Sequence, residues 1–198
     1  MKPYFLIKLF FVLGLIVMTI NSPILCLAGS YVINPSDDGY IFYSGYVDRV
    51  TYLSCGGNTR GIVEFSLGSI SEQIVSATLS INPYGLPNQS PIINMYGYQS
   101  SDGRLTTSDF YAGTYLGDWT LPPLGYGQDA YFDVTNFLKT VTTPYVGFNL
   151  RADGAGDQFS SLEYNYGHPS QLIISTVPEP ATLLVLGLGA AILRKRRK

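Results

Sequence analysis

Two glutamates, Glu64 and Glu163, are the side chains of this 198-residue chain whose chemistry could cleave a glycosidic bond. That reaction usually requires two carboxylates that face each other across a cleft, about 5–10 Å apart. No spacing in the sequence brings the two together, and each is explained more simply as a polar residue on the solvent side of a strand. The single histidine, His168, precedes Pro169 in a predicted turn, and no nucleophile elbow accompanies it. The sequence therefore predicts no catalytic residue, and we expect that the protein is not an enzyme.

The segment from Asp153 to Asp157 combines acidic residues with glycines and reads Asp-Gly-Ala-Gly-Asp. Carboxylate oxygens on a flexible loop suit calcium, but Asp and Gly are also the usual residues of turns. Two interpretations stay open: an ordinary turn in a protein without a cofactor, or a calcium site that uses Asp153 and Asp157. No cluster of His and Cys residues indicates a zinc site.

Aromatic residues are a second kind of candidate, because a flat ring can stack on the face of a sugar. The chain has 16 Tyr, and the stretch 103–128 combines three of them with the only Trp. This stretch reads as loop-rich, and loops commonly carry the binding sites of rigid β scaffolds. The sequence nominates Tyr111, Tyr115, Trp119 and Tyr126 as ligand-binding residues. The alternative is that Trp119 fills the core and the tyrosines border it.

The elements that must position these residues are β-strands. Apolar and polar residues alternate in the segments 63–67 and 75–81, and a period of two places one face on a core and the other in water. Glu64, Ser66, Ser76, Thr78 and Ser80 are the polar members. Weaker patterns predict strands at 41–43, 46–53, 92–98, 130–134, 145–150, 159–164 and 171–175.

Pairs such as Asp38-Gly39 and Asp102-Gly103 predict turns between the strands. One or two helical turns are expected at 136–140, with Thr135 or Asp133 as the cap. Many short strands separated by turns are typical of a sandwich or a jelly roll. We therefore predict an all-β fold, with a single jelly-roll or β-sandwich domain spanning 29–176.

The N-terminal segment has the order of a secretory signal. Lys2 and Lys8 precede an uncharged apolar run from residue 9 to residue 20, and Cys26-Leu27-Ala28 follows. The run is short of the about 20 residues that a membrane-spanning helix needs. We predict a signal peptide over 1–28 that signal peptidase removes after Ala28.

The C-terminal segment has three parts: Pro178-Glu179-Pro180, an uncharged stretch from Ala181 to Leu193, and a cluster of cations. As a helix, the stretch would rise about 20 Å and could span a locally thinned bilayer. Cations after a hydrophobic helix belong on the cytoplasmic side, so the middle domain is expected outside. The topology anchor consists of Arg194, Lys195, Arg196, Arg197 and Lys198.

These three parts, in this order, resemble the Pro-Glu-Pro C-terminal (PEP-CTERM) sorting signal over 177–198. The resemblance implies processing by an exosortase, a membrane-embedded cysteine protease that is thought to cut near the motif. It also implies a Gram-negative bacterium that makes extracellular polysaccharide. The expected location follows: export across the inner membrane, transient anchoring there through a short transmembrane helix, and then the cell surface or the extracellular space.

The middle domain more distantly resembles the disaggregatase-related jelly rolls, which are similar to carbohydrate-binding modules. The segments that carry this resemblance are 60–67, 74–79, 133–135, 147–151, 159–163 and 171–174. The family's extended Asp-Asn-Arg-Leu-Arg-Glu-type segment is reduced here to Leu150-Arg151. The resemblance implies the jelly-roll fold and contact with carbohydrate.

Charge separates the middle of the chain from its ends. All fourteen acidic residues lie between 37 and 179, whereas only five of the twelve basic residues do, which makes the net charge of this part −9. A surface so acidic repels nucleic acid and anionic lipid, so neither is an expected partner. The five basic residues are Arg49, Arg60, Arg104, Lys139 and Arg151.

Together these observations predict an exported surface or extracellular protein, a non-catalytic module associated with the exopolysaccharide of a biofilm matrix. The alternative is a structural surface protein that associates with itself through exposed tyrosines or strand edges. An enzyme acting on polysaccharide is the third and least favoured interpretation.

Overall fold

Two antiparallel sheets packed face to face form the described part of the chain. A computed structural model describes residues 29–49, 52–68, 70–83, 92–121, 128–152, 157–162 and 168–177. The signal peptide over 1–28, the sorting motif Pro178-Glu179-Pro180 and the predicted helix of 181–193 lie outside these residues. Within them, no helix is long and apolar enough to cross a membrane.

The described elements are nearly all strands. In chain order they are β1 Gly29–Ile33, β2 Asp37–Phe42, β3 Val47–Asp48, β4 Leu53–Cys55, β5 Thr59–Ser66, β6 Gln73–Ile81, β7 Ile92–Ser100, a 3-10 helix Thr107–Phe110, β8 Thr114–Thr120, β9 Ala130–Asp133, α1 Thr135–Leu138, β10 Tyr145–Ala152, β11 Asp157–Phe159 and β12 Gln171–Val177.

The strands form a β-sandwich, as the sequence predicts. One sheet has four strands in the order β1-β12-β6-β9, and the other has six in the order β3-β2-β5-β10-β7-β8. The short strands β4 and β11 pair with each other in a separate two-stranded sheet. β1 and β12 lie side by side, with Gly29 opposite Thr176, so the first and last described strands are neighbours at the edge of the four-stranded sheet.

The core lies between the sheets and follows the alternation of apolar residues. Val63 and Phe65 of β5 face Leu79 and Ile81 of β6 across it, and all four are fully buried. The Phe65 and Phe148 rings meet edge to face at 6.1 Å, a favourable aromatic geometry. These residues confirm that the period of two in 63–67 and 79–81 marks one core-facing side.

At residue 75 the alternation in β6 predicts the wrong side. Val75 is exposed although it continues the apolar series of Leu79 and Ile81. The pairing of β12 with β6 shifts register there, from Ser175 opposite Ser76 to Thr176 opposite Ile74. This bulge adds one residue to β6 and reverses the direction of the side chains before it, so Ile74 packs against the core instead.

Two loop predictions are also wrong. Asp38-Gly39 lies inside β2 instead of forming a turn. Gly39 has a positive φ of 152°, and a Cβ there would lie 2.2 Å from the Asp48 carbonyl oxygen, so close approach of β3 explains the glycine. Residues 114–120 of the predicted loop-rich stretch form β8, which pairs with β7.

The predicted helical turn is confirmed, as α1 at Thr135–Leu138, but the predicted cap is wrong, because the N-cap is Val134 and not Thr135 or Asp133. The Asp133 carboxylate accepts a hydrogen bond from the Thr135 N–H at 2.8 Å. Bonding to the Thr135 side chain, and then to its backbone, lowers the pKa of Asp133. The Thr135 hydroxyl also accepts a hydrogen bond from the Ala77 N–H at 2.9 Å, which fixes α1 to β6.

Candidate functional site on the outer face of the six-stranded sheet

A loop covers part of the outer face of the six-stranded sheet. Residues 101–113, here called the cover loop, connect β7 to β8 and contain the 3-10 helix. Leu105 and Phe110 of this loop are buried against Ile41 and Ile62 in a hydrophobic cluster separate from the main core. The six-stranded sheet is therefore buried on its inner face and partly buried on its outer face.

Glu64 lies beneath the cover loop and is fully buried, with 0 % of its surface exposed. Its carboxylate accepts hydrogen bonds from the Tyr98 hydroxyl at 2.7 Å and the Ser100 hydroxyl at 2.8 Å. The Ser100 oxygen in turn accepts a bond from the Gly103 N–H at 3.2 Å, which ties the carboxylate to the loop. The prediction that Glu64 faces solvent is wrong, because the alternation identifies the outer face but not the loop that closes it.

Burial and hydrogen bonding act on the pKa of Glu64 in opposite directions, and burial has the larger effect. Burial raises the pKa of the Glu64 carboxyl, and the hydrogen bonds from Tyr98 and Ser100 oppose that rise. Burial, followed by the charge of Glu64, raises the pKa of Tyr98 far above its usual value. Tyr98 reaches Glu64 across Gly147, where a Cβ would lie 2.1 Å from the tyrosine ring. Glycine at 147 therefore permits this buried bond.

Asn149 of β10 holds the other end of the cover loop. Its fully buried Nδ2 group lies within hydrogen-bond distance of three loop carbonyls, those of Asp109 at 2.7 Å, Phe110 at 3.2 Å and Ala112 at 3.3 Å. Arg151, two residues further along β10, donates to the Ala112 carbonyl at 2.8 Å. These bonds join the end of the 3-10 helix and the residues after it to β10.

Four tyrosines surround the uncovered part of this face. We call Tyr43, Tyr96, Tyr111 and Tyr115 the tyrosine patch. Tyr111 is 69 % exposed and Tyr115 50 %, and Tyr43 is exposed as well. Tyr96 and Tyr115 meet edge to face at 5.5 Å, while Phe110 contacts Tyr111 at 4.8 Å and Tyr43 at 5.9 Å. The patch therefore combines three exposed rings with the half-buried Tyr96 and the buried Phe110.

Two arginines lie within the patch. The Arg151 guanidinium stacks on the Tyr96 ring at 3.7 Å, and the Arg60 guanidinium lies 5.0 Å from the centre of the Phe110 ring. The register that pairs Leu150 with Gly61 makes Arg151 and Arg60 neighbours across β10 and β5. Such cation–π contacts hold each guanidinium flat against a ring.

The structure separates the four nominated aromatic residues. Tyr111 and Tyr115 share the exposed patch, whereas Trp119 points inward from β8, is 7 % exposed and contacts Phe132 at 5.8 Å in the main core. Trp119 thus occupies the position that the alternative interpretation assigned to it. Tyr126 lies outside the described residues.

Sequence reasoning did not find Tyr43, Tyr96, Arg60 and Arg151 as patch residues, because their proximity depends on strand register. One signal was available. Arg60 is an even number of residues from Glu64, so the period of two places both on the outer face of β5. With only five basic residues in this part of the chain, an outward-facing arginine is informative.

Of the other nominated residues, the structure describes the side chain of His168. His168 lies in a loop, 3.1 Å from an Asp129 carboxylate oxygen. Asp153, Glu163 and the side chain of Asp157 lie outside what the structure describes, so the calcium interpretation stays a prediction. Among the described residues, no group of three His, Cys, Asp or Glu side chains could hold a metal ion.

A groove of about 720 Å³ lies between the ends of β5 and β6 and the α1–β10 connection. Leu67, Ile70, Leu138 and Pro144 form its apolar part, and Glu72 and Lys139 its charged part. Tyr31 donates to both carboxylate oxygens of Glu72 at 2.9 Å, which engages the acid within the protein. The groove lacks the exposed aromatic rings that distinguish the tyrosine patch.

Comparison with known proteins assigns the C-terminal segment alone. Residues 176–198 match the family model for the PEP-CTERM protein-sorting motif. The motif targets the chain to an exosortase for export and sorting to the cell surface or the extracellular space. The match covers the tail and not the sandwich that carries the tyrosine patch. No curated protein matches the chain.

Proposed function

We propose that this protein is a non-catalytic module of the extracellular matrix that binds polysaccharide through the tyrosine patch. The observation that carries the proposal is the exposure of Tyr43, Tyr111 and Tyr115 on one face of a rigid sheet. Exposing large aromatic rings to water is unfavourable, and a surface that does so in a cluster commonly serves binding. The sorting motif is consistent with this role, because it directs the protein to where matrix polysaccharide lies.

The geometry of the patch suits a sugar chain better than a deep-pocket ligand. Rings on an open sheet face can stack against successive sugars, while tyrosine hydroxyls stay hydrated. The Tyr115 hydroxyl donates to Asp118 at 2.6 Å, which orients the ring and leaves a carboxylate at the border of the patch. Carboxylates commonly accept hydrogen bonds from hydroxyl groups.

The environment of Glu64 supports a non-catalytic role. Its raised pKa is a feature that active-site acids often show. In this protein, however, the cover loop separates the carboxylate from solvent, and the two hydroxyls that donate to it, those of Tyr98 and Ser100, belong to β7. Glu64 therefore serves to hold the loop, and a substrate on the patch would not reach it.

The test measures retention of the protein on its host's exopolysaccharide. The protein is exported and processed by its own host, purified and passed over the immobilised polymer. Tyr111→Ala combined with Tyr115→Ala is expected to weaken retention about thirtyfold, since each of the two rings contributes of the order of 1 kcal/mol. Tyr131→Ala is the matched control, because Tyr131 is equally exposed but lies on β9 of the other sheet.

Equal retention of the double variant and the control would remove the patch from the binding site. Absence of retention for the unmodified protein would reject the proposed function itself. Incubation with the polymer is expected to release no reducing ends, and their release would restore the enzyme interpretation.

A second candidate, self-association, rests on the outer face of the four-stranded sheet. Ser30, Val32, Ser76 and Tyr131 are exposed there, and β1 is an edge strand. Unpaired edges can join strands of another copy. Concentration-dependent assembly in sedimentation velocity that Val32→Lys abolishes would support this candidate. A monomer at the highest concentration would count against it.

A further inference from the structure

The tyrosine patch concentrates positive charge on an otherwise acidic protein. Of the five basic residues between 37 and 179, two lie side by side in the patch, although this part of the chain has a net charge of −9. Each guanidinium lies on an aromatic ring, so the charges are fixed in place and not spread over flexible side chains. The inference drawn from this arrangement rests on the proposed function and specifies its ligand.

Neither arginine is neutralised within the described part of the chain. Ion pairs there join Arg49 to Asp37 and His168 to Asp129, and neither involves the patch. Arg60 donates to the carbonyls of Gly56 and Thr59, both at 3.0 Å, while Arg151 donates from Nη2 to the Ala112 carbonyl and from Nε to Asn149 Oδ1 at 3.2 Å. A guanidinium has five N–H donors, so these carbonyl bonds leave further donors for a ligand.

The neighbouring charges disfavour each other. Burial lowers the pKa of Arg151, Tyr96 opposes that fall, and the positive charge of Arg60 adds to it. An anion placed between them would relieve this repulsion and form charge-assisted hydrogen bonds with both. Asp118 lies at the far end of the same row of residues, opposite Asn94, so a bound anion is expected at the arginine end.

Net charge does not oppose such a ligand as strongly as it opposes nucleic acid. At physiological salt, charges are screened over about 8 Å, so distant acids act weakly on an anion bound at Arg60 and Arg151. Double-stranded nucleic acid carries a charge every ~1.7 Å and requires many basic contacts. A polysaccharide with one carboxylate on some of its sugars requires one or two, and its rings match the tyrosines.

We propose that the tyrosine patch binds acidic polysaccharide, with sugar rings on Tyr111 and Tyr115 and a sugar carboxylate between Arg60 and Arg151. The arginines then determine selectivity for charged over neutral polymer. The tyrosines provide the ring contacts that both kinds of sugar share. Loss of the arginines and loss of the tyrosines should therefore have different consequences.

The experiment uses one polymer in two chemical states. The host exopolysaccharide is immobilised either as isolated or after carbodiimide activation and borohydride reduction, which converts its carboxylates to alcohols. The exported and processed protein is expected to bind the isolated polymer at least about tenfold more tightly than the reduced one. Arg60→Gln combined with Arg151→Gln should remove that difference while binding to the reduced polymer persists.

Two controls keep the result interpretable. Lys139→Gln removes the same kind of charge at α1, far from the patch, and should retain the preference for the isolated polymer. Arg60→Lys with Arg151→Lys keeps both charges and should retain binding to the isolated polymer. Thermal unfolding of the glutamine variant at the same temperature as the unmodified protein would show that this variant did not simply lose its fold.

Equal binding to isolated and reduced polymer would overturn the inference and leave the proposed function standing. No binding to either polymer would reject both. Single-stranded DNA of matched charge serves as a competitor, and competition as strong as that of the isolated polymer would also overturn the inference, because the site would then be a general polyanion site.

Discussion

The outer faces of the two sheets belong to the same sandwich and yet differ in what they bury. The six-stranded sheet carries a fully buried glutamate and asparagine beneath the cover loop, whereas the four-stranded sheet exposes small polar residues such as Ser30 and Ser76. In both sheets, apolar and polar residues alternate along the strands with a period of two. The difference shows that one loop can bury the outer face of a sheet. The polar side chains on that face must then be hydrogen-bonded.

The largest expected effect comes from removing the central acid of the covered face. Glu64→Ala leaves the Tyr98 and Ser100 hydroxyls without their buried acceptor and opens a cavity, so the free energy of unfolding should fall by about 3 kcal/mol. Ser76→Ala on the four-stranded face should change it by less than about 0.5 kcal/mol. Urea denaturation measures both. Similar losses in the two variants would mean that the faces do not differ as described.

A smaller effect is expected where β10 holds the cover loop. Asn149→Ala removes the donor shared by three loop carbonyls, which should cost about 2 kcal/mol and increase amide hydrogen exchange in 105–112. Asn94→Ala is the matched control on the same face, at a position that holds no loop carbonyl. Unchanged exchange in the Asn149 variant would show that other contacts hold the loop.

The smallest effect is a difference in how stability depends on pH between Glu64, on the six-stranded sheet, and Asp133, on the four-stranded sheet. Because the pKa of Glu64 is raised in the folded state, its stabilising contribution is complete below the unfolded pKa of about 4.3 and is lost as pH rises through the folded pKa. The pKa of Asp133 is lowered, so its contribution is present above about 3.9 and is lost as pH falls through the folded pKa.

Thermal unfolding of the unmodified protein, Glu64→Gln and Asp133→Asn from about pH 3 to pH 8 separates these contributions. The stability difference between the unmodified protein and Glu64→Gln should shrink as pH rises, whereas the difference from Asp133→Asn should grow. Two differences that change in the same direction would refute the opposite environments of these carboxylates.

Local patterns predicted much of the fold. The alternation of Val63 with Phe65 and of Leu79 with Ile81 identified core-facing sides correctly, because burial between two sheets follows the period of a strand. Val75 broke the pattern because a bulge in the pairing with β12 inserts an extra residue. β8 did not read as a strand because Gly117 and Asp118, residues poor in strand propensity, interrupt it.

The candidate site was less accessible to sequence reasoning. Tyr111 and Tyr115 were nominated because both lie in one short stretch, and they do share a face. Arg60 and Arg151 are far apart in the sequence and meet only through the register of β5 and β10. The burial of Glu64 depends on a loop that arrives from β7, which no pattern within β5 records.

The antiparallel pairing of β1 with β12 has a consequence for how the protein leaves the membrane. Since Gly29 lies opposite Thr176, the chain enters and leaves the sandwich at one corner. From Val177, the last residue of β12, to Ala181 the chain can extend only about 14 Å. In the predicted state, in which the tail is anchored in the bilayer, that corner would lie close to the lipid surface, and an exosortase would have to work in the narrow space beneath a folded domain. Inserting a short Gly-Ser spacer after Val177 would widen this space, and the rate of release would then report whether access to the cleavage point limits the protein's departure.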